Sequence, residues 1–379
     1  MPSDAPRFVE ELFPTHGAVP PDDVVGRAAA VETIAFQVRS GQHVLVAGPR
    51  RIGKSSVAGK ALAVAAADGV LPIALDFFRL TTIEAFAAAM YDACAEHLGS
   101  IRRAWSRLAT APIDADLHAG LGPFLQVGIR LRREARPEQL LDEALSLPGL
   151  LAEQRNRRVA VLCDEFQDAG RLHPDFNRVL RHHATSPARV SYVFLGSRSS
   201  LLRQLFAKSA EPLYRAALEV DLPDPAPDEW TGYLARKLHT VGITATAACL
   251  DRIVVETGGH PQDTMLVAAA LYGRLYGERQ TSSTEEDAVR AVATALGGLQ
   301  TAFASEWERL SADRGARIAL SRIAKGELVH AGLSHTESKA ASQALRHLVA
   351  DGLVLKAGRG RYRIRERLFA AYVADTMLS

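Results

Sequence analysis

Cysteine is scarce. The 379-residue chain has three, Cys94, Cys163 and Cys249, far apart and without a C-x-x-C pair. That spacing indicates neither a disulfide framework nor a zinc knuckle. Long apolar runs are missing too. The most apolar stretch, Val57 to Leu75, is broken by Gly59, Lys60, Asp68, Gly69 and Pro72, so it does not read as a membrane span. The N-terminus sets Asp4, Glu10 and Glu11 among prolines and has no signal-peptide core. There is no N-K-x-D element for guanine, and the net charge is only +2. These absences lead to an expectation of a cytoplasmic protein with no membrane partner. Hydrophobic content of 47% and charged content of 23% are ordinary for globular chains, and the length suits two or three domains.

One stretch stands out against this plain background. Gly48-Pro49-Arg50-Arg51-Ile52-Gly53-Lys54-Ser55 fits the phosphate-binding pattern G-x-x-x-x-G-K-[ST]. The apolar run His43 to Ala47 precedes it and reads as a buried strand. Ser56 to Ala63 follows and reads as a helix. Glycines let backbone N–H groups turn toward phosphate oxygens, and the helix start adds positive partial charge. Lys54 is expected to reach the β- and γ-phosphates and Ser55 to offer a hydroxyl to Mg2+, with Ser56 closing the loop.

Further carboxylates complete the chemistry. Val159-Ala160-Val161-Leu162-Cys163-Asp164-Glu165 is a strand delivering two acids to a sheet's carboxyl edge, where ligands bind in open α/β folds. Asp164 is expected to hold Mg2+ and Glu165 to activate the attacking water. With no guanine element, ATP is the favoured nucleotide. A further strand, Val190 to Leu195, ends at Gly196-Ser197-Arg198. Ser197 is a candidate γ-phosphate sensor and equally a helix N-cap. Arg198, Arg203 and Arg215 are candidate arginine fingers, or else surface ion-pair residues. Val25-Gly26-Arg27 begins the core and is a candidate neighbour of the adenine, or simply a helix start.

The remaining segments read more coarsely. Leu71 to Asp76 is a strand. Thr82 to about Leu108 is helical, with Arg102, Arg103 and Arg107 on a polar face, and a helix runs from Pro137 to about Gln154. The stretch Ala109 to Arg136 has no assignable pattern. Ala217 to Asp221 is expected to be another strand. Pro223, Pro225 and Pro227 then mark a stiff connector. The next region reads as helices, with Ser283 and Glu286 fitting a capping box. Gly259-His260-Pro261 opens one of these helices, as a plain helix start or as a lid that sets Pro261 near the base.

From residue 305 the chain carries thirteen Lys and Arg against eight Asp and Glu, a net of +5, leaving −3 for the rest. Here Arg314 to Lys325 and Thr336 to Ala350 read as helices. Leu353 to Ile364 reads as a strand–turn–strand, and the order describes a winged helix. Lys339 and Arg346 on the second helix, with Lys356, Arg359, Arg361 and Arg363 on the wing, are the candidate DNA contacts. A winged helix can equally pack internally or bind a protein.

In order along the chain, Gly48 to Ser55, Cys163 to Gln167, Phe194 to Ser197, Pro212-Leu213-Tyr214, Gly259-His260-Pro261 and Tyr362 to Phe369 resemble the archaeal-type P-loop ATPases of the STAND class, near the AAA+ and origin-recognition ATPases. The resemblance implies an α/β core with a five-stranded parallel sheet, a helical lid and a C-terminal winged helix. The expected domains are an N-terminal extension (1–24), an ATPase core (25–222), a lid (223–304) and a winged-helix domain (305–379). Relatives often carry Gly-Arg after Pro-Leu-Tyr, whereas Arg215-Ala216 follows here, and Arg274 is the nearest candidate for a second motif arginine in the lid. The leading expectation is a DNA-binding ATPase using ATP and Mg2+, with self-assembly in the ATP state. The alternatives are a signalling switch docked on itself or on a protein partner, and a DNA-loading or transposition-associated subunit.

Overall fold

The computed structural model describes residues 6–98, 136–185, 189–358 and 360–376. The unassigned stretch Ala109 to Arg136 lies outside them except for Arg136, as do Arg102, Arg103, Arg107 and Arg359. The chain divides into two compact units, one of residues 28–47 and 57–221, the other of residues 1–27, 48–56 and 222–379.

The first unit is an α/β layer structure. Its strands are β1 (Val44–Ala47), β2 (Leu71–Asp76), β3 (Val159–Asp164), β4 (Val190–Gly196) and β5 (Leu218–Glu219). They pair in parallel in the order β2-β3-β4-β1-β5. Every residue of β1 and β4 is buried, and in β3 only Asp164 is partly exposed. Continuous apolar runs are what a parallel sheet covered on both faces requires. At the edge, β2 alternates buried and less buried residues. The helices of this unit are α1 (Ala28–Arg39), α2 (Lys54–Ala67), whose first turn belongs to the other unit, α3 (Ile83–Ala95), α4 (Pro137–Arg155), α5 (Phe176–Thr185) and α6 (Ser199–Ala207). Local chemistry sets their ends. The Thr82 hydroxyl accepts from the Ala85 N–H at 3.2 Å, and Asn156 closes α4 in the left-handed conformation at φ 49°.

Rings fill the core beneath the sheet's carboxyl edge. Phe166 is fully buried, 4.6 Å from Phe194 and 5.6 Å from Phe77 between centroids. Truncating such a ring leaves a cavity as well as losing burial. Phe166→Ala is therefore expected to cost about 3–5 kcal/mol, checked by chemical denaturation.

The second unit is mainly helical: α7 (Pro227–Thr240), α8 (Ala247–Thr257), α9 (Pro261–Gly277), α10 (Glu285–Ser311), α11 (Arg314–Ala324), α12 (His335–Ala350) and α13 (Arg367–Thr376). The strands β6 (Thr244–Ala245) and β7 (Ser282–Ser283) pair in parallel, and β8 (Val354–Gly358) pairs with β9 (Arg361–Ile364) as an antiparallel hairpin. One apolar core runs from Leu12 and Phe13 through Trp230, Ile253 and Leu271 to Leu320, Leu345 and Val373. The N-terminal segment is stitched to it, because the Tyr272 hydroxyl accepts from the Val9 N–H and donates to the Arg7 carbonyl.

The capping box of α10 differs from its sequence reading. It is formed by Thr284 and Asp287, one residue later than Ser283 and Glu286, with the Thr284 N–H 2.7 Å from Asp287 Oδ2. Ser283 is taken up by β7, and its buried hydroxyl donates to Cys249 Sγ at 3.2 Å.

Candidate functional site

The parallel sheet brings the carboxyl ends of β1, β3 and β4 to one edge. Ala47 pairs with Gly196, and Asp164 follows Cys163, which pairs with Phe194. Gly48 is simply the next residue after β1, so the phosphate-binding pattern leaves from this edge.

Within that loop the backbone takes left-handed turns at Arg51 (φ 68°) and Gly53 (φ 83°). Arginine tolerates this poorly and glycine freely. At Gly48 a Cβ would sit 2.5 Å from Ile52 Cδ1, so any larger residue there would have to displace the end of the Ile52 side chain. The buried Lys54 ammonium donates to the Gly48 and Pro49 carbonyls at 2.9 and 2.7 Å. Ser55 follows it in the first turn of α2, and the Ser56 hydroxyl accepts from the Val19 N–H at 3.0 Å.

Arg27, which the sequence places only in a short motif, reaches the same loop. Its guanidinium donates to the Ile52 carbonyl and, at 2.9 Å, to the Pro223 carbonyl. Burial lowers its pKa to about 10, with Asp224 pulling the other way. Val25 is buried, and Gly26 turns at φ 60° beside Glu229, which accepts from the Ala226 N–H at 2.7 Å.

At the end of β3, Asp164 Oδ1 accepts from the Glu165 N–H at 2.9 Å. Glu165 itself is left-handed, at φ 50°. Its carboxylate is gripped by a small cluster of donors. The Ser197 hydroxyl lies 2.7 Å and the Ser197 N–H 3.3 Å from Oε2, and the Gln167 amide donates to the same oxygen. No sequence signal singles out this role for Gln167. A Cβ on Gly196 would collide with Gln167 Oε1, so that glycine makes the room Gln167 occupies.

The candidate arginines have separate surroundings. Arg198 pairs with Asp168, Arg203 with Glu219 at 2.5 Å, and Arg274 with Glu278 and Asp287 at 2.7 and 2.5 Å. Arg215 is left-handed at φ 54°, its guanidinium 5.2 Å from the Tyr214 ring centre.

Pro261 begins α9 directly after the buried His260, whose Nδ1 is 3.3 Å from Asp263 Oδ1. Burial opposes charge on this imidazole, but Asp263 outweighs it and the pKa is raised. Near them Pro49, Arg50, Glu306, Gly352, Arg365 and Glu366 line a small pocket that His260 shares.

On the C-terminal module Lys339 and Arg346 are exposed and seven residues apart on α12, hence on one face. Lys356 and Arg361 are exposed on the hairpin. Arg363 is exposed but lies 3.9 Å from Asp224.

Among the described residues no cluster of three or more His, Cys, Asp or Glu has metal-site geometry. No described helix is long and apolar enough to cross a membrane.

No protein-family model matches the chain, and no curated protein matches it. Solved structures do. The Walker-type ATPase of Pyrococcus abyssi superposes with a TM-score of 0.70 at 17% identity, covering 96% of this chain and 99% of that one. The Aeropyrum pernix ORC2 protein, in ADPNP–ADP complexes, gives 0.62 at 16%, covering 97% and 98%. The Aeropyrum pernix ORC1 protein in complex with DNA gives 0.51 at 16%, covering 99% and 98%. At such identity the likeness is one of fold alone, that of an α/β chain with the five-stranded parallel sheet described above.

Proposed function

We propose that this protein binds and hydrolyses magnesium–ATP, and that nucleotide state sets the placement of a C-terminal winged helix that binds DNA. In this reading residues 25–222 are the ATPase core behind an N-terminal extension (1–24), 223–304 the lid, and 305–379 the winged-helix domain. The observation that carries it is Glu165. A carboxylate beside Asp164, held by Ser197 and Gln167 on the edge from which the phosphate loop departs, suits a general base.

The residues divide the work. Loop N–H groups and Lys54 bind phosphate oxygens, with Gly48 to Ser56 forming the cradle. A magnesium ion, when bound, supplies charge neutralisation at the phosphates, and Ser55 and Asp164 are the residues that would hold it. A hydroxyl and a carboxylate are the hard oxygen donors this ion takes, beside phosphate and water. Glu165 takes the proton of the attacking water, and Ser197 orients Glu165 and senses the γ-phosphate. Val25, Gly26 and Pro261 flank the base, and Arg215 is the arginine offered to a neighbouring copy in an ATP-dependent assembly.

DNA binding draws on charge left for an outside partner. Lys339, Arg346, Lys356 and Arg361 are exposed and have no ion-pair carboxylate among the described residues, whereas Arg309, Arg314 and Arg322 of the same module do. A protein of the same fold is described in complex with DNA. The test is a duplex shift assay at about 50 and 200 mM salt, with and without ATP. Binding should weaken steeply with salt, and Lys356→Ala and Arg361→Ala should each lower the log–log slope by about 1, as removal of one phosphate-neutralising charge requires. Absent or salt-insensitive binding, indifferent to both substitutions, refutes the reading.

A second reading is a regulatory switch whose winged helix docks on its own ATPase loop. It is favoured by the approach of Gly352 to Pro49, where a Cβ would be 2.8 Å from Pro49 Cδ. It expects retained ADP, slow turnover and no DNA affinity.

A further inference from the structure

Four separated segments meet at one partly buried ionic cluster. Arg51 comes from the phosphate loop, His260 and Asp263 from the start of α9, Glu306 from α10, and Glu366 from the turn between β9 and α13. Arg51 Nη1 is 3.7 Å from Glu366 Oε1, and the Glu366 side chain is only a quarter exposed. Arg50 and Arg365 line the same pocket, and Asp224 faces His260 and Arg365 from the connector. The module is therefore not merely near the loop. It carries a carboxylate onto a loop arginine.

We propose that Glu366 sets the phosphate affinity of the loop, its carboxylate competing with incoming phosphate for Arg51, so that a polyphosphate and the docked module coexist only when Glu366 is neutral. This rests on the nucleotide reading above and adds a residue that tunes it. The physics is simple. A phosphate chain and a carboxylate sharing one arginine in a partly buried site repel each other, and the repulsion is poorly screened. Removing the carboxylate's charge, by protonation or substitution, removes the competitor.

Protonation is within reach near neutrality. Burial, then the neighbouring Asp263, pushes the Glu366 carboxyl from its ordinary 4.5 up to about 7, while His260 and Arg51 pull it down. A raised carboxyl is protonated in the docked module below about pH 7, and the stability that proton confers on docking is lost as pH rises through 7. Above that pH the ionised carboxylate opposes phosphate, and binding must draw a proton back onto it or push the module away. Nucleotide affinity therefore falls as pH rises through 7. His260 titrates in the same cluster, so the profile of the wild type alone does not isolate Glu366. Comparison with an isosteric neutral variant does.

The experiment measures the affinity of a fluorescent ATP analogue with Mg2+ for the full chain, as wild type, Glu366→Gln and Glu366→Asp, at about pH 6, 7 and 8. Glu366→Gln should match wild type at about pH 6 and bind on the order of tenfold more tightly at about pH 8, a gap of one proton's linkage over about one pH unit above 7. Glu366→Asp keeps the charge and should keep a falling profile, which a purely structural role would not produce. Parallel profiles for wild type and Glu366→Gln, or weaker binding by Glu366→Gln at the highest pH, overturn the proposal. If no variant binds at any pH, as for Lys54→Ala, the nucleotide reading itself fails and the proposal falls with it.

Discussion

Lys54→Ala is expected to lower affinity for magnesium–ATP by on the order of 10²-fold or more, because a charge-assisted hydrogen bond is worth about 1.5–3 kcal/mol and the ammonium serves more than one oxygen. The structure defines the starting point of that change. The Lys54 ammonium donates to the Gly48 and Pro49 carbonyls, 2.9 and 2.7 Å away. Both carbonyls belong to the loop, so phosphate oxygens compete for a donor already inside the cradle. Alanine leaves those carbonyls without it, which adds a stability loss of about 1–3 kcal/mol for any carbonyl that water does not reach. Denaturation curves taken beside the binding titrations separate the two effects. Lys54→Arg should not restore binding, since a planar fork does not fit where a compact ammonium sits between two carbonyls of one tight turn. Binding by Lys54→Ala at wild-type affinity would mean that the loop is not the phosphate site.

What the sequence discloses and what it withholds divide along a physical line. The turn from β1 into α2 at Gly48 to Ser55, and the strand that ends at Asp164, are legible because each is a local pattern of residue types next to a buried apolar strand. The strands of the sheet are legible for the same reason, as apolar runs such as Val190 to Leu195. Ser197 is legible as a polar residue directly after a buried strand. Gln167 is not, because its reach to Glu165 depends on the distant Gly196 having no Cβ. Arg27 stands in a recognisable motif, yet its bond to the Ile52 carbonyl exists only after the loop has folded. The cluster at Glu366 draws on residues 51, 260, 263, 306 and 366, and no periodicity connects them. The capping box of α10 slips by one residue because Ser283 is claimed by a strand pairing with Ala245 that only tertiary structure creates. Interactions set by spacing within one element are readable, and those set by the meeting of elements are not.

Glu165→Gln is expected to keep nucleotide binding and reduce turnover by about 10²–10⁴-fold, the scale of a missing general base. The local geometry makes this a clean substitution. Three donors converge on one oxygen of Glu165: the Ser197 hydroxyl, the Ser197 N–H and the Gln167 amide. A glutamine carbonyl accepts from the same donors, so the side chain's position survives while its ability to take a proton does not. Phe166 strengthens the point, because its buried ring fixes the turn that presents position 165. Ser197→Ala should show the complementary pattern. It keeps the base but removes its nearest orienting donor, so turnover should fall less than in Glu165→Gln. The check is steady-state phosphate release alongside equilibrium binding, for both variants. Undiminished hydrolysis in Glu165→Gln would assign the water-activating role to another group. Weakened binding instead of slowed turnover would mean that Glu165 shapes the ground state, and that its grip by Ser197 and Gln167 is structural.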